Sequence, residues 1–486
     1  MISIQAKKHD NFSVEFKFGF EGKDKAELDE FAVNSWVFVP NSMGINPDNY
    51  GKKQFYRDIK SNVRLITPVF SLHEIADPDA LPFTSLRRAI EALMTTSDSA
   101  AADAFDYHLK MFGAIFKSSI RDFERRFRIA RTIENTGSLL DGYVEDVRTI
   151  LLRYRQLGAR MTEQEVSETL RGRFRLVDEF LSYNTEMRAI RIIRKIDASR
   201  HAGQLESCKE KLISLIKDER EYKRECGYGI INNDKEQNRQ LVYHHGMLKK
   251  FVESDLYIRL QKRKDGVAIE QLYYSIAAGV AMIFATAVAW HTQVKFGNIT
   301  WPLFVALVVS YMLKDRIKDL LRFYFAHRLG NKYYDNKALI TIGQKKVGVI
   351  KEGVDFISLS NIPEKVMSLR SSAARIAETT KIFEEKIILY RKRITIDGKA
   401  LAENDDYPMR GINEIMRLHL NRFTYKMDNP EIPVATLDDN DEIVVEKVQK
   451  IYYLNIVFQL QHAEQVEYRR FRVVMTRDGV LRIEEK

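Results

Sequence analysis

Two apolar runs constrain this chain more than anything else in it. The first, Leu272–Trp290 (LYYSIAAGVAMIFATAVAW), carries no formal charge over 19 residues. As a helix rising 1.5 Å per residue it would be about 28 Å long, close to the roughly 30 Å of a bilayer's hydrocarbon layer. The second, Ile299–Leu313 (ITWPLFVALVVSYML), has 15 residues and comes after only HTQVKFGN. It is short alone, but beside a full-length partner flanking aromatics and long basic side chains cover the mismatch. A soluble helical hairpin turns a polar face to water, and neither run has one. The expected fold class is therefore integral membrane α+β: a two-helix transmembrane hairpin, with spans about 272–290 and 299–313, joined to a helical bundle and flanking α+β domains.

The flanks orient such a hairpin. Met247–Gly266 holds six basic side chains, the twenty residues after the second run hold six more, and the connecting loop holds one, Lys295. This asymmetry puts both flanks and both termini in the cytosol, as a multi-pass protein of the cytoplasmic (inner) membrane. Trp290, Phe296 and Trp301 then form an outer aromatic belt, and Tyr273, Tyr274 and Tyr311 an inner one. Lys262, Arg263, Lys264, Lys314, Arg316 and Lys318 are the expected contacts to anionic headgroups. They account for part of the basic excess, 77 Lys and Arg against 67 Asp and Glu. Ala277, Ala281, Ala285 and Ala289 recur every four residues with Gly279 nearby, a small-residue face for close helix approach. Its partner is either the second helix of the same chain or another copy, and a homo-oligomer is expected. Neither run has an ionisable group of the kind a transport site needs. A pore lined by apolar residues in an oligomer stays open as an alternative. The Asn298-Ile299-Thr300 sequon lies too near the membrane to read as a glycosylation site.

The second run turns abruptly charged at Lys314, in VVSYMLKDRIKDLLRFYFAHRLG, with no Gly or Pro to break it. Leu313, Ile317, Leu320, Leu321, Tyr324 and Phe325 keep a three- and four-residue spacing. Lys314, Lys318 and Arg322 share the opposite side. One helix is thus expected to continue past Lys314 and end near Gly330.

The remaining chain divides by pattern. Residues 1–97 read as a small α+β domain: ISIQAKK and FSVEFKFGF alternate as strands, WVFVP is a buried strand, and NPDNYGKKQFYRDIKSNVRL is a helix. Residues 98–266 read as about five helices, broken near ENTGS, LGARM, SRHAG and GYGIINND, with Thr162 and Glu165 as a capping box. Residues 267–329 are the hairpin plus its juxtamembrane helix. Residues 330–486 read as a C-terminal α+β domain with an antiparallel sheet. Its hairpin signals are Asp478-Gly479 and, more weakly, Asp397-Gly398, and helices are expected over 363–385 and 411–422. The first residues have no apolar core of signal-peptide length. Cys208 and Cys226 read as reduced thiols.

Motifs that carry chemistry are scarce. The chain has no GxxxxGK[ST], GxGxxG, GxSxG or HExxH, so no catalytic residue, metal ligand or cofactor is assigned. His73–Asp77 (HEIAD) lacks a second histidine. His244-His245 is the most noticeable polar pair, a candidate pH or ligand site, although neighbours on a helix point about 100° apart and chelate one ion poorly. Basic faces at Arg121, Arg125 and Arg128, and at Arg188, Arg191, Arg194 and Lys195, read as solvated faces paired with local acids, and nucleic acid is not an expected partner. The expected function is a non-enzymatic, self-associating membrane scaffold or signalling component. Its partners would be a bilayer with anionic headgroups, further copies and a cytosolic protein. A channel of oligomerised hairpins is the alternative, and a membrane-tethered enzyme or nucleotide binder the third reading.

Overall fold

The computed structural model describes residues 2–22, 28–95, 98–127, 133–163, 166–297, 300–330, 334–342, 345–371, 385–403, 406–428 and 430–486. It is a mixed α+β structure of helices and antiparallel sheets. Contacts divide it into a sheet unit (Met1–Val63, Arg259–Asn404, Arg410–Lys486) and a helical unit (Arg64–Ile258, Asp405–Met409).

The sheet unit begins with β1 (Ile2–Lys8), β2 (Ser13–Glu21) and β3 (Asp29–Pro40). In β2 the alternation Val14, Phe16, Phe18, Phe20 puts four apolar side chains on one buried face. Phe16 meets Phe458 and Phe471 edge-on, at 5.0 and 5.6 Å between ring centroids, and Phe18 meets Phe458 at 5.5 Å. β3 is buried along both faces, as its near-continuous apolar run SWVFVP demands. The helix expected from Asn46 is instead a short α1 (Lys52–Asp58) followed by β4 (Ile59–Leu65).

The later strands are β5 (Arg259–Lys264), β6 (Asn336–Ile342), β7 (Lys345–Ile357), β8 (Glu385–Ile396), β9 (Gly411–His419), β10 (Glu431–Leu437), β11 (Ile443–Gln449), β12 (Tyr452–His462), β13 (Gln465–Thr476) and β14 (Gly479–Glu485). Eight of the strands form one antiparallel sheet in the order β14-β13-β12-β3-β8-β7-β6-β5, four form a second in the order β1-β2-β9-β4, and β10 and β11 pair alone. Residues 1–97 are therefore not a separate domain. β3 lies between β8 and β12, and β2 pairs with β9. A strand buried on both faces needs a neighbour along each edge, and this chain supplies them from roughly 350 to 430 residues away. The boundary falls at Val63, because from Arg64 to Ile258 the chain belongs to the helical unit.

Two further expectations are corrected. Gly411–His419 is a strand, with burial alternating along GINEIMRLH; Ile412, Met416 and Leu418 are buried at even spacing on one face, and Ile415, half-buried on the other, is what lends the run its helical spacing. Asp397-Gly398 makes no hairpin: the Asp397 carboxylate accepts from the Ala400 amide at 2.9 Å and caps the short α12 (Gly398–Glu403). Asp478-Gly479 does link β13 to β14. Of the helix expected over 363–385, α11 covers Glu364–Ser371 and residues 372–384 lie outside the described residues. A four-residue helix, α13 (Asn421–Thr424), completes the unit.

In the helical unit, α2 (Leu72–Ala76) and α3 (Leu81–Thr95) precede the long α4 (Ser99–Arg126), α5 (Ile133–Glu163), α6 (Glu168–Asp197), α7 (Glu206–Cys226) and α8 (Lys235–Val252). ENTGS and LGARM do not break the chain but lie inside α5. Thr162 starts no helix: its hydroxyl donates to Gly158 O within the last turn of α5, and α6 begins at Glu168. Glu165 lies outside the described residues. Phe105, Leu109, Phe112, Phe116 and Ile120 of α4 form the core. Phe112 stacks on Tyr154, and Tyr154 on Phe174 at 4.2 Å.

The apolar runs become α9 (Val267–Phe296) and α10 (Trp301–Gly330), inserted between β5 and β6. These neighbours pair Lys264 with Asn336, so both feet of the helical hairpin leave the sheet side by side at its edge. α10 runs unbroken through Lys314. Among the described residues α9 is the one helix long and apolar enough to cross a membrane, over Val267–Lys295.

Candidate functional site

Alanine lets α9 and α10 approach closely. Ala277 and Ala281 are 0% and 1% exposed against α10, and Ala285 and Ala289 are half-buried. Ser310 Oγ donates to Ala285 O at 3.3 Å, and Tyr273 meets Phe325 at 5.1 Å between centroids. These contacts make the helices antiparallel. Gly279 points the other way, and a Cβ built there would meet nothing within 4 Å. The small-residue face is thus used within one chain. The outer surface is apolar and bare: Ile276, Met282, Ile283, Val305, Val309 and Met312 are all exposed.

The same contacts fix an offset. Residue 310 lies level with 285, and residue 325 with 273. Lys314 therefore stands beside the middle of the apolar run of α9, and the charged half of α10 lies along its first half. Arg322 sits over the Tyr274 ring at 5.3 Å. The apolar band shared by both helices reaches from Leu313 to Trp301, thirteen residues, or about 20 Å.

The expected belts separate accordingly. Trp290 and Trp301 are exposed near the loop end, Trp301 stacked on Phe304 at 5.4 Å. The side chain of Phe296 lies outside the described residues. Tyr273 and Tyr274 sit toward the feet, Tyr274 donating to Glu270 at 2.8 Å. Tyr311 is not with them: it lies halfway up α10 with Lys314 over its ring at 4.0 Å. The six basic residues divide likewise. Lys262, Arg263 and Lys264 lie on β5 at the feet, where Lys262 pairs with Glu352 at 3.0 Å and Lys264 with Glu270 at 2.6 Å. Lys314, Arg316 and Lys318 stand far above them, Lys318 paired with Asp315 at 3.2 Å and Arg316 exposed. In the stripe expected along α10, Ile317, Leu321 and Phe325 are half-buried, whereas Leu313, Leu320 and Tyr324 are exposed.

His244 and His245 form no common site. His244 Nε2 lies 2.9 Å from Glu179 Oε2, whereas His245 is buried against Tyr183, ring centroids 3.7 Å apart. Burial, then the nearby Lys223 and His244, push its pKa down to about 4, so its ring stays neutral at pH 7. Part of each basic face is paired internally: Arg188 and Lys195 both reach Glu124, at 2.6 and 3.0 Å, and Arg121 pairs with Asp122 at 2.9 Å, whereas Arg125, Arg191 and Arg194 are exposed. Arg128 lies outside the described residues. Among the described residues no three His, Cys, Asp or Glu side chains gather as they would around a metal ion.

Sequence reasoning missed a cavity of about 400 Å³ in the helical unit, between the end of α5, the first half of α6 and the end of α7. Arg171, Arg175 and Asp178 enter it from one face of α6, and Arg155, Tyr222 and Tyr228 complete its polar wall. Asp178 accepts from Tyr222 OH at 2.7 Å, Tyr228 OH at 3.0 Å and Arg155 at 3.3 Å. Burial nonetheless raises its pKa above the ordinary aspartate value, outweighing those donors. Arg155 is held by both Glu219 oxygens and lies over the Tyr222 ring at 3.4 Å. The signal in the sequence was the spacing in LRGRFRLVD, which aligns Arg171, Arg175 and Asp178 on one side of a helix.

These features define a class: a mixed α+β protein of helices and antiparallel sheets, carrying, among the described residues, one helix both long and apolar enough to cross a membrane. Compared with known proteins, the chain matches no family model, no curated protein and no solved structure.

Proposed function

We propose that this chain is a membrane-anchored, non-enzymatic scaffold or signalling component. Its helical hairpin inserts loop-first into a bilayer, while the sheet unit and the helical unit stay in water on the basic, cytosolic side of the cytoplasmic membrane. The observation that carries this reading is the bare apolar surface of α9 and of α10 from Trp301 to Leu313. An exposed apolar surface of this extent is costly in water. The occupant it fits is lipid, because no charge interrupts the run from Leu272 to Trp290. The shared band of about 20 Å is shorter than a bilayer core, so Lys314 and Lys318 reach back toward the cytosolic headgroups and the bilayer thins around the hairpin.

Flotation on vesicles of phosphatidylcholine with phosphatidylglycerol tests the anchor. The chain is expected to float with the lipid; a chain that stays at the bottom of the gradient without detergent removes the reading. Self-association is a separate part of the proposal. Because Ala277 and Ala281 are covered within the chain, it rests on the outward face around Gly279. Mass photometry in mild detergent reads it directly, and a strictly monomeric particle would leave an anchor without a self-associating scaffold.

A further inference from the structure

The cavity in the helical unit lies in no membrane-facing segment, and its chemistry is that of an anion site. Among its three arginines Arg155 is committed: both Glu219 oxygens and Asp178 take its donors, and Tyr222 covers its face. Arg171 and Arg175 are one helical turn apart on the same face of α6, and both line the cavity. Arg171 gives one terminal nitrogen to Glu168 at 2.7 Å, and the Glu168 side chain is itself 75% exposed. The Arg171 Nε is buried with no hydrogen-bond acceptor among the described residues. A guanidinium at the cavity wall whose ion pair is to an exposed carboxylate keeps donors that an incoming oxyanion can take. Arg175 gives one terminal nitrogen to the Cys226 carbonyl at 3.3 Å and also touches Tyr228. Its planar fork keeps further donors for a second oxygen.

Two other features favour the same charge. α6 is 30 residues long and opens at this end, where Ser167 places no side chain on the first-turn amides. Its positive end therefore adds to the field of the two arginines. Beside them the wall is apolar: Phe174 stacks on Tyr154, Met161 lies adjacent, and Gly158 sits so near Phe174 that a Cβ would come within 2.6 Å of the ring. The volume of about 400 Å³ is that of a small-molecule site.

We propose that this cavity binds a small organic anion, a phosphate or carboxylate joined to a compact apolar body. Arg171 and Arg175 take the oxyanion, and Phe174 and Met161 take the body. Asp178 and Arg155 are positioning residues that hold Tyr222 and Tyr228 as the far wall. The site is independent of the hairpin, so it stands whether or not the chain enters a bilayer.

Calorimetric titration of the full-length chain in detergent tests this, with phenyl phosphate as the probe and benzoate, phenol, inorganic phosphate and dihexanoyl phosphatidic acid as comparisons. Phenyl phosphate is expected to bind one site saturably, with phenol about tenfold weaker or more, as loss of a charge-assisted pair implies. Benzoate binding beside phenyl phosphate assigns the site to oxyanions in general; phenyl phosphate alone narrows it to phosphates. Tighter binding of the short-chain lipid would assign the oxyanion to a headgroup. Arg171→Ala and Arg175→Ala should each weaken the probe about tenfold, Arg171→Lys by less, and Arg173→Ala, whose partner is Asp106 outside the cavity, not at all. Circular dichroism separates loss of binding from loss of fold. The proposal is overturned if nothing saturates, if phenol binds as well as phenyl phosphate, or if the folded Arg171→Ala, Arg175→Ala double variant binds unchanged.

Discussion

His245 is 8% exposed and stacked on Tyr183, and its Nε2 has no hydrogen-bond partner among the described residues. Folding lowers its pKa from 6.5 to about 4. Below pH 6.5 the unfolded chain therefore binds a proton that the folded chain refuses, so stability falls as the pH drops from 6.5 to 4 and levels off below. The full shift would cost about 3 kcal/mol. Chemical denaturation at pH 7 and at pH 4.5 should show the helical unit weakening, and His245→Phe should flatten that difference. An unchanged pH dependence in a folded His245→Phe would remove the assignment. The sequence exposed the two histidines but not their difference, because adjacent positions on one helix carry no record of which side the rest of the chain covers.

α9 and α10 are where sequence reading at the scale of elements succeeded and failed together. The continuation of α10 past Lys314 came from spacing alone, since the helix is set by residues within a few positions of one another. The offset did not, because it depends on which turn of α10 meets Ala277 and Ala281. Replacing Ala281 with Leu puts three carbons into a position with 1% exposure. That should loosen the helix pair by about 1–3 kcal/mol, read as a lower melting temperature in detergent. Gly279→Leu meets open space and should leave the pair intact. If copies associate through that face, Gly279→Leu should instead shift the mass distribution to monomers. Two glycines inserted after Arg316 should break the rigid continuation of α10 and release protease sites near the feet. An insertion variant as resistant as the parent chain would argue against a rigid stalk.

At the scale of the whole molecule the hairpin is an insertion in a two-stranded turn. The Asp265 amide donates to the Asp335 carbonyl at 3.2 Å, and Gly266 already has φ 72°. Asp335 is fixed in turn by Lys52 at 2.7 Å, Tyr56 at 2.9 Å and the Val354 amide at 2.8 Å. Excising residues 267–333 leaves Gly266 and Tyr334 as a two-residue link between strands already in register. This variant should keep its sheet by circular dichroism, need no detergent and stay at the bottom of a flotation gradient. A variant that still floats would place the lipid contact elsewhere in the chain.

Residue order alone was enough for what is local: the charge-free run of α9, the unbroken α10, the alternation that makes β1 and β2 strands, the Asp478-Gly479 turn between β13 and β14, and the absence of familiar catalytic motifs. Each is settled by neighbours within a turn of helix or a few strand residues. Folding in three dimensions was needed to join β8 to β12 through β3 and to make Gly411–His419 a strand beside β2. It also set Lys314 against the middle of α9 and brought Arg171 and Arg175 into one cavity with Tyr222. These arrangements join residues tens to hundreds of positions apart. Many pairings bury similar apolar area along the chain, and only the one that satisfies every strand edge and buried charge at once is realised.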